Sequence, residues 1–265
     1  MNKGTIEGTE AEIEFVKYMN KNKNDDMWQV IKTDFNIDDI SNYYYVRVTN
    51  HVISKLNNKK VLPKSDAYII NAEISQEILE KNDYLIDEKT YNIQPQEILA
   101  GSGTSIKRPD SNSFQIIKMV PDSFKMLFNN YYLGAAASIY CNREELSKND
   151  FVIDGWKTSW EELKENLPEE LNIKNYNNVS EEEQVNICNN IKKYANNENK
   201  NQILNNSKLS DIIFKVKYIY DEPYVAEYLF INNNLEKNRA FDFAVTTGSG
   251  RSKGDFTIVL KPKNR

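Results

Sequence analysis

A chain of 265 residues can bury one substantial core, and its 40% hydrophobic and 28% charged residues exclude a disordered polymer. The net charge of −5 argues against a nucleic-acid partner, but it conceals a division. Residues 142–211 carry 9 Lys/Arg against 14 Asp/Glu, whereas residues 237–265 carry 7 against 2, a patch able to meet phosphates. Cys141 and Cys188 lack metal-ligand spacing and set no disulfide framework. The first residues carry no apolar signal core, and the longest mostly apolar run, Tyr131 to Cys141, is too short to span a membrane. A cytoplasmic protein without a membrane partner is expected.

Residues 8–20 predict a helix, with Thr9 as N-cap and Glu10 and Glu12 at the positive end of its dipole. Its apolar face is Phe15, Val16 and Met19, and Glu12 lies on the same stripe. A carboxylate there needs a cation or a metal unless it reaches water. Residues 22–26 read as a loop, followed from Trp28 by an extended segment or short helix. Tyr43 to Val48 is rich in strand formers. His51, the only histidine, reads as structural or DNA-facing, because no nucleophile motif accompanies it.

Pro63-Lys64-Ser65-Asp66 leads into an apolar run of strand length, Ala67 to Ile70. Glu73 to Glu97 reads as an insertion, after which Gly101-Ser102-Gly103-Thr104 leads into Ser105-Ile106-Lys107. Pro121 predicts a single core helix with the face Phe124, Leu127, Phe128, Tyr131, Ala135 and Ile139. Ser159 with Glu162 and Ser180 with Glu183 are capping boxes that each announce a helix. They place a helical lobe at residues 142–208, with Asn196 to Asn206 as a polar loop. The alternation of Ile212, Phe214, Val216, Tyr218 and Tyr220 predicts a strand, and Tyr224 to Ile231 another, stopped at Asn232. Ala240–Val245 and Phe256–Leu260 flank a basic, glycine-rich tip and predict a hairpin.

Neither glycine-rich stretch has the Gly-Lys-Ser/Thr ending of a phosphate-binding loop. An acid entering one strand and a lysine ending another instead suit phosphodiester cleavage. Asp66 offers the hard oxygen that Mg²⁺ prefers, and the Ile106 carbonyl offers a further ligand. Lys107 would orient the attacking water, with Ser105 on the same side two residues back. Asp87-Glu88-Lys89 is a rival source of the lysine, in a polar, turn-like context.

Pro63-Lys64-Ser65-Asp66 with Ser105-Ile106-Lys107 resembles the PD-(D/E)xK motif of type II restriction endonucleases, with Ser105 in place of the usual acid. Gly8 with Glu12 is similar to the extra helical carboxylate of many members, and the Gly248–Gly254 hairpin to that of members reading short sites. The resemblance implies an α/β fold, a central mixed sheet flanked by helices, as one domain over residues 1–265 with the helical lobe. It implies Mg²⁺-dependent, site-specific cleavage of double-stranded DNA, leaving 5′-phosphate and 3′-hydroxyl ends. Asp66 and Glu12 would hold the metal with Ile106, and Lys107 and Ser105 would complete the catalytic set. A functional partner methyltransferase would protect host DNA, and the enzyme would act as a monomer or homodimer. Arg251, Ser252 and Lys253 at the hairpin tip, with Arg108 and Lys118, are the expected DNA contacts. A non-catalytic protein binding DNA through the basic hairpin is the alternative.

Overall fold

The computed structural model describes residues 3–48, 61–86, 97–108, 114–140, 149–246 and 258–263. The protein is α/β, with a mixed central sheet flanked by helices. Its contacts divide into two compact units, Met1–Ser111 with Phe214–Arg239, and Asn112–Ile213 with Ala240–Arg265.

The first unit holds α1 (Lys3–Lys21), α2 (Asp26–Phe35), α3 (Gln76–Lys81) and strands β1 (Tyr43–Arg47), β2 (Ala67–Asn71), β3 (Glu97–Ile98), β4 (Thr104–Ile106), β6 (Tyr228–Ile231) and β7 (Asn234–Lys237). The sheet runs β1-β2-β4-β6-β7, with β3 also on β2. β4 and β6 are parallel, and every other pair is antiparallel. Asn232 and Asn233 both take positive φ in the turn joining β6 to β7, a conformation asparagine tolerates better than most residues.

Helix α1 lies on this sheet through Phe15, Val16 and Met19, all buried as the stripe predicts. Phe15 meets Tyr45 of β1 edge-on at 5.1 Å and Phe230 of β6 at 4.6 Å. Buried Asn20 donates to the Tyr45 carbonyl and accepts from its N–H, both at 2.8 Å, so the side chain replaces a neighbouring strand at this sheet edge. Trp28 of α2 donates its indole N–H to the Met19 carbonyl at 2.7 Å. Two helices are thereby fixed to one face.

The second unit contains β5 (Ile117–Met119), β8 (Phe243–Thr246) and β9 (Ile258–Pro262), a three-stranded antiparallel sheet in the order β5-β9-β8. Its helices are α4 (Pro121–Leu127), α5 (Tyr131–Tyr140), α6 (Asn149–Gly155), α7 (Trp160–Asn166) and α8 (Glu181–Leu204). Both capping boxes form, Ser159 with Glu162 opening α7 and Ser180 with Glu183 opening α8. The β8–β9 pairing agrees with the expected hairpin, whose tip lies outside the described residues.

Several local expectations are corrected. α1 begins at Lys3, so Thr9 sits inside the helix and is not its N-cap. The segment at Trp28 is helix α2, capped by Asp25 on the Met27 N–H. The helix from Pro121 is two, broken after Leu127, where Phe128 takes an extended conformation. Residues 196–204 continue α8, because Ile187, Ile191, Ala195, Asn199 and Ile203 recur every four residues on a buried stripe. The expected strand at 212–220 is largely helix α9 (Ser207–Lys215). Leu209, Ile213 and Val216 are buried, and this i, i+4, i+7 spacing outweighs the alternation seen from Ile212 onward.

Candidate active site

Antiparallel pairing puts the start of β2 and the end of β4 at one end of the sheet, with Ala67 opposite Thr104. Asp66 precedes that pair and Lys107 follows it. Above it the ladder stops, because Lys64 and Ser65 turn away and direct their N–H groups to the Tyr224 carbonyl. The Ile106 N–H would thus lack a backbone partner, and Asp66 Oδ2 accepts from it at 2.7 Å. A carboxylate therefore closes the ladder where a carbonyl would otherwise stand.

The glycines make this approach possible. Gly101 has φ +82°, in the left-handed region. A Cβ on Gly103 would stand 1.9 Å from the Val225 carbonyl oxygen and 3.0 Å from Ser65 Oγ. Between them Ser102, fully buried, accepts the Ile69 N–H at 2.9 Å and keeps the bend tied to β2. This glycine-rich run serves chain geometry.

Lys107 Nζ donates to Ser105 Oγ at 2.7 Å and stands 4.0 Å from Asp66 Oδ2. Ser105 Oγ in turn reaches Asp66 Oδ2 at 3.3 Å. Three of the expected residues thus form one connected group.

Glu12 joins them from α1. Burial pushes its carboxyl above the ordinary 4.5, the negative charge of Asp66 adds to this, and Arg47 and Lys107 oppose it. Arg47, at the end of β1, meets Glu12 Oε2 through Nη2 at 3.0 Å and Nε at 3.3 Å. The partner that the buried stripe demanded is therefore a cation within the chain. Arg47 escaped the sequence reading, although alternation puts it on the face of Tyr45, which is fully buried. Lys64 also escaped it. Burial and the positive charge of Lys107 push its amino group well below the usual lysine range, against the pull of Asp66.

Among the described residues no three His, Cys, Asp or Glu side chains gather as a ready metal cage. Mg²⁺ does not need one, since one or two carboxylates, waters and phosphate oxygens complete its shell. The hydrogen bonds to Asp66 fall on Oδ2 and those to Glu12 on Oε2, so Oδ1 and Oε1 carry no protein donor among the described residues. These donors fit a hard divalent cation. Ile106 meets Asp66 through its N–H.

Two of the expected DNA contacts, Arg108 and Lys118, lie among the described residues. Arg108 pairs with Glu7 of α1. Lys118 is exposed on β5, in the second unit. Arg251, Ser252 and Lys253 lie outside the described residues, as do His51, Cys141 and Asp87-Glu88-Lys89. No described helix is long and apolar enough to cross a membrane. Comparison with protein-family models, with curated proteins and with solved structures gives no match.

Proposed function

We propose that the chain is a Mg²⁺-dependent endodeoxyribonuclease that cuts double-stranded DNA at a short specific sequence, as a type II restriction enzyme of the PD-(D/E)xK kind. The observation that carries this reading is the meeting of Asp66, Lys107 and Glu12 at one end of the sheet, from three separate elements. In this reading Asp66, Glu12 and the Ile106 carbonyl hold the ion. When bound, Mg²⁺ supplies Lewis acidity at the scissile phosphate.

The chain's own residues do the remainder. Lys107 orients the attacking water and offsets charge developing on the phosphate oxygens. Ser105 holds the lysine amino group at 2.7 Å, and Arg47 fixes the Glu12 carboxylate; both are positioning residues. The water oxygen bonds to phosphorus as the bond to the 3′ oxygen breaks. The water's proton passes to solvent and the 3′ oxygen gains one, leaving 5′-phosphate and 3′-hydroxyl ends. Arg108, Lys118 and the Arg251-Ser252-Lys253 tip supply DNA contacts, with arginine suited to reading guanine. A partner methyltransferase protects the host sequence, and the enzyme works in the cytoplasm as a monomer or homodimer.

The test is digestion of unmethylated mixed-sequence phage DNA with Mg²⁺ or with EDTA. Discrete fragments that require Mg²⁺ are the expected result. Intact DNA across several such substrates contradicts it and favours a DNA-binding protein in which Asp66 and Lys107 form an ordinary ion pair. That protein would retain DNA in a salt-dependent way, unchanged by Asp66→Ala.

A further inference from the structure

Helix α1 presents two carboxylates to arginines at the ends of two strands. Glu12 meets Arg47 of β1. Glu7, about 7.5 Å earlier along the helix axis, pairs with Arg108 just past β4. Strand alternation brings the second pair together. The Lys107 N–H still reaches the Phe230 carbonyl at 2.9 Å, so the chain stays extended beyond Ile106. Ile106 is buried in the cluster that holds Phe15 and Val16 of α1, and Arg108, two residues on, falls on the same face.

The two pairs differ in their access to water. The Arg47 side chain is 8% exposed, whereas those of Arg108 and Glu7 are both 32% exposed. A sealed pair acts as a strut, but an open one can exchange its partner. The guanidinium fork of an arginine matches a phosphate as well as a carboxylate. Arg108 directly follows Lys107, so a DNA backbone that reaches the lysine also comes within reach of the arginine. We propose that Glu7 is an autoinhibitory stand-in for a DNA phosphate. It occupies Arg108 in the free chain and gives way when the backbone of the substrate enters beside Lys107. This deepens the nuclease reading and rests on it, since there Arg108 contacts DNA. The addition is a carboxylate that the substrate must displace.

The test measures binding of a random-sequence DNA duplex to the full chain at low salt, in EDTA so that no cleavage intervenes. An exposed ion pair is worth up to about fivefold in affinity, so Glu7→Gln tightens binding about two- to fivefold. Glu10→Gln removes an equal charge from an exposed position three residues on, and leaves the affinity nearly unchanged. Arg108→Gln weakens binding and abolishes the gain from Glu7→Gln, the coupling expected of a competed contact. The far-ultraviolet circular dichroism of all the variants stays that of wild type. Unchanged or weaker binding by Glu7→Gln, a gain equalled by Glu10→Gln, or a gain that survives Arg108→Gln overturns the proposal. Weaker binding together with lower urea stability marks the pair as a strut. No binding by any form defeats the nuclease reading and the gate together. The expected gain in a chain that never cuts DNA defeats only the nuclease reading, and cutting without the gain defeats only the role of Glu7.

Discussion

Replacing Arg47 with Met keeps most of the side chain's length and removes the charge that Glu12 faces. The Arg47 side chain is 8% exposed and that of Glu12 26%. Stranding one partner of a buried pair costs about 3–5 kcal/mol, and the water reaching Glu12 places this loss near the lower end, about 3 kcal/mol. For a chain of this size that corresponds to a fall of about 6–12 °C in melting temperature. The pH dependence sharpens the expectation. Glu12 titrates above 4.5 in the folded chain, so its contribution to stability is complete below 4.5 and is lost as pH rises through the folded value. Without Arg47 that value rises further. The variant's deficit is therefore largest at neutral pH and narrows as pH falls toward 4.5. Urea unfolding of wild type, Arg47→Met, Glu12→Gln and the double variant measures both the deficit and the coupling. A deficit below about 1 kcal/mol, or one that does not change with pH, refutes the assignment of this pair.

Three further changes probe the surrounding structure. Gly103→Ala drives a Cβ against the Val225 carbonyl oxygen, so strands must move; urea unfolding should show a loss of about 3 kcal/mol or more, with DNA cleavage abolished. Tyr228→Phe removes a hydroxyl that donates to Asp34 at 2.6 Å and accepts from Lys237 at 2.7 Å, and should cost about 1–2 kcal/mol in the same assay because Lys237 still pairs with Asp34. Ser180→Ala removes the cap of α8 and should cost about 1 kcal/mol, adding to the similar loss from Ser159→Ala at α7.

The parts of the site that were legible in the sequence are those set by local pattern. An acid before an apolar run, a lysine after a short strand and a glutamate on an apolar helical stripe each state a local requirement. Their meeting depends on pairing between β2 and β4 and on the seat of α1, which no local pattern records. Arg47 was hidden because it closes a tyrosine-rich strand that already looked complete. The signal was its alternation with Tyr45, since a cation on a core-facing position requires an anion nearby. The helices misread between 196 and 215 show a different limit. Asparagine is a poor helix former and β-branched residues suit strands, yet burial of a stripe at helical spacing outweighed both preferences. In the sequence Gly103 reads only as part of a glycine-rich lead into Ser105-Ile106-Lys107. Its reason is a carbonyl oxygen of a segment more than a hundred residues away.

Digestion of unmethylated phage DNA in Mg²⁺ by wild type, Lys107→Ala and Lys89→Ala, beside a DNA-retention assay on each, tests the central claim most directly. The account predicts discrete fragments from wild type and Lys89→Ala, none from Lys107→Ala, and salt-dependent retention of DNA by all three. Fragments that persist with Lys107→Ala, or that vanish only with Lys89→Ala, would contradict the site built on Asp66 and Lys107.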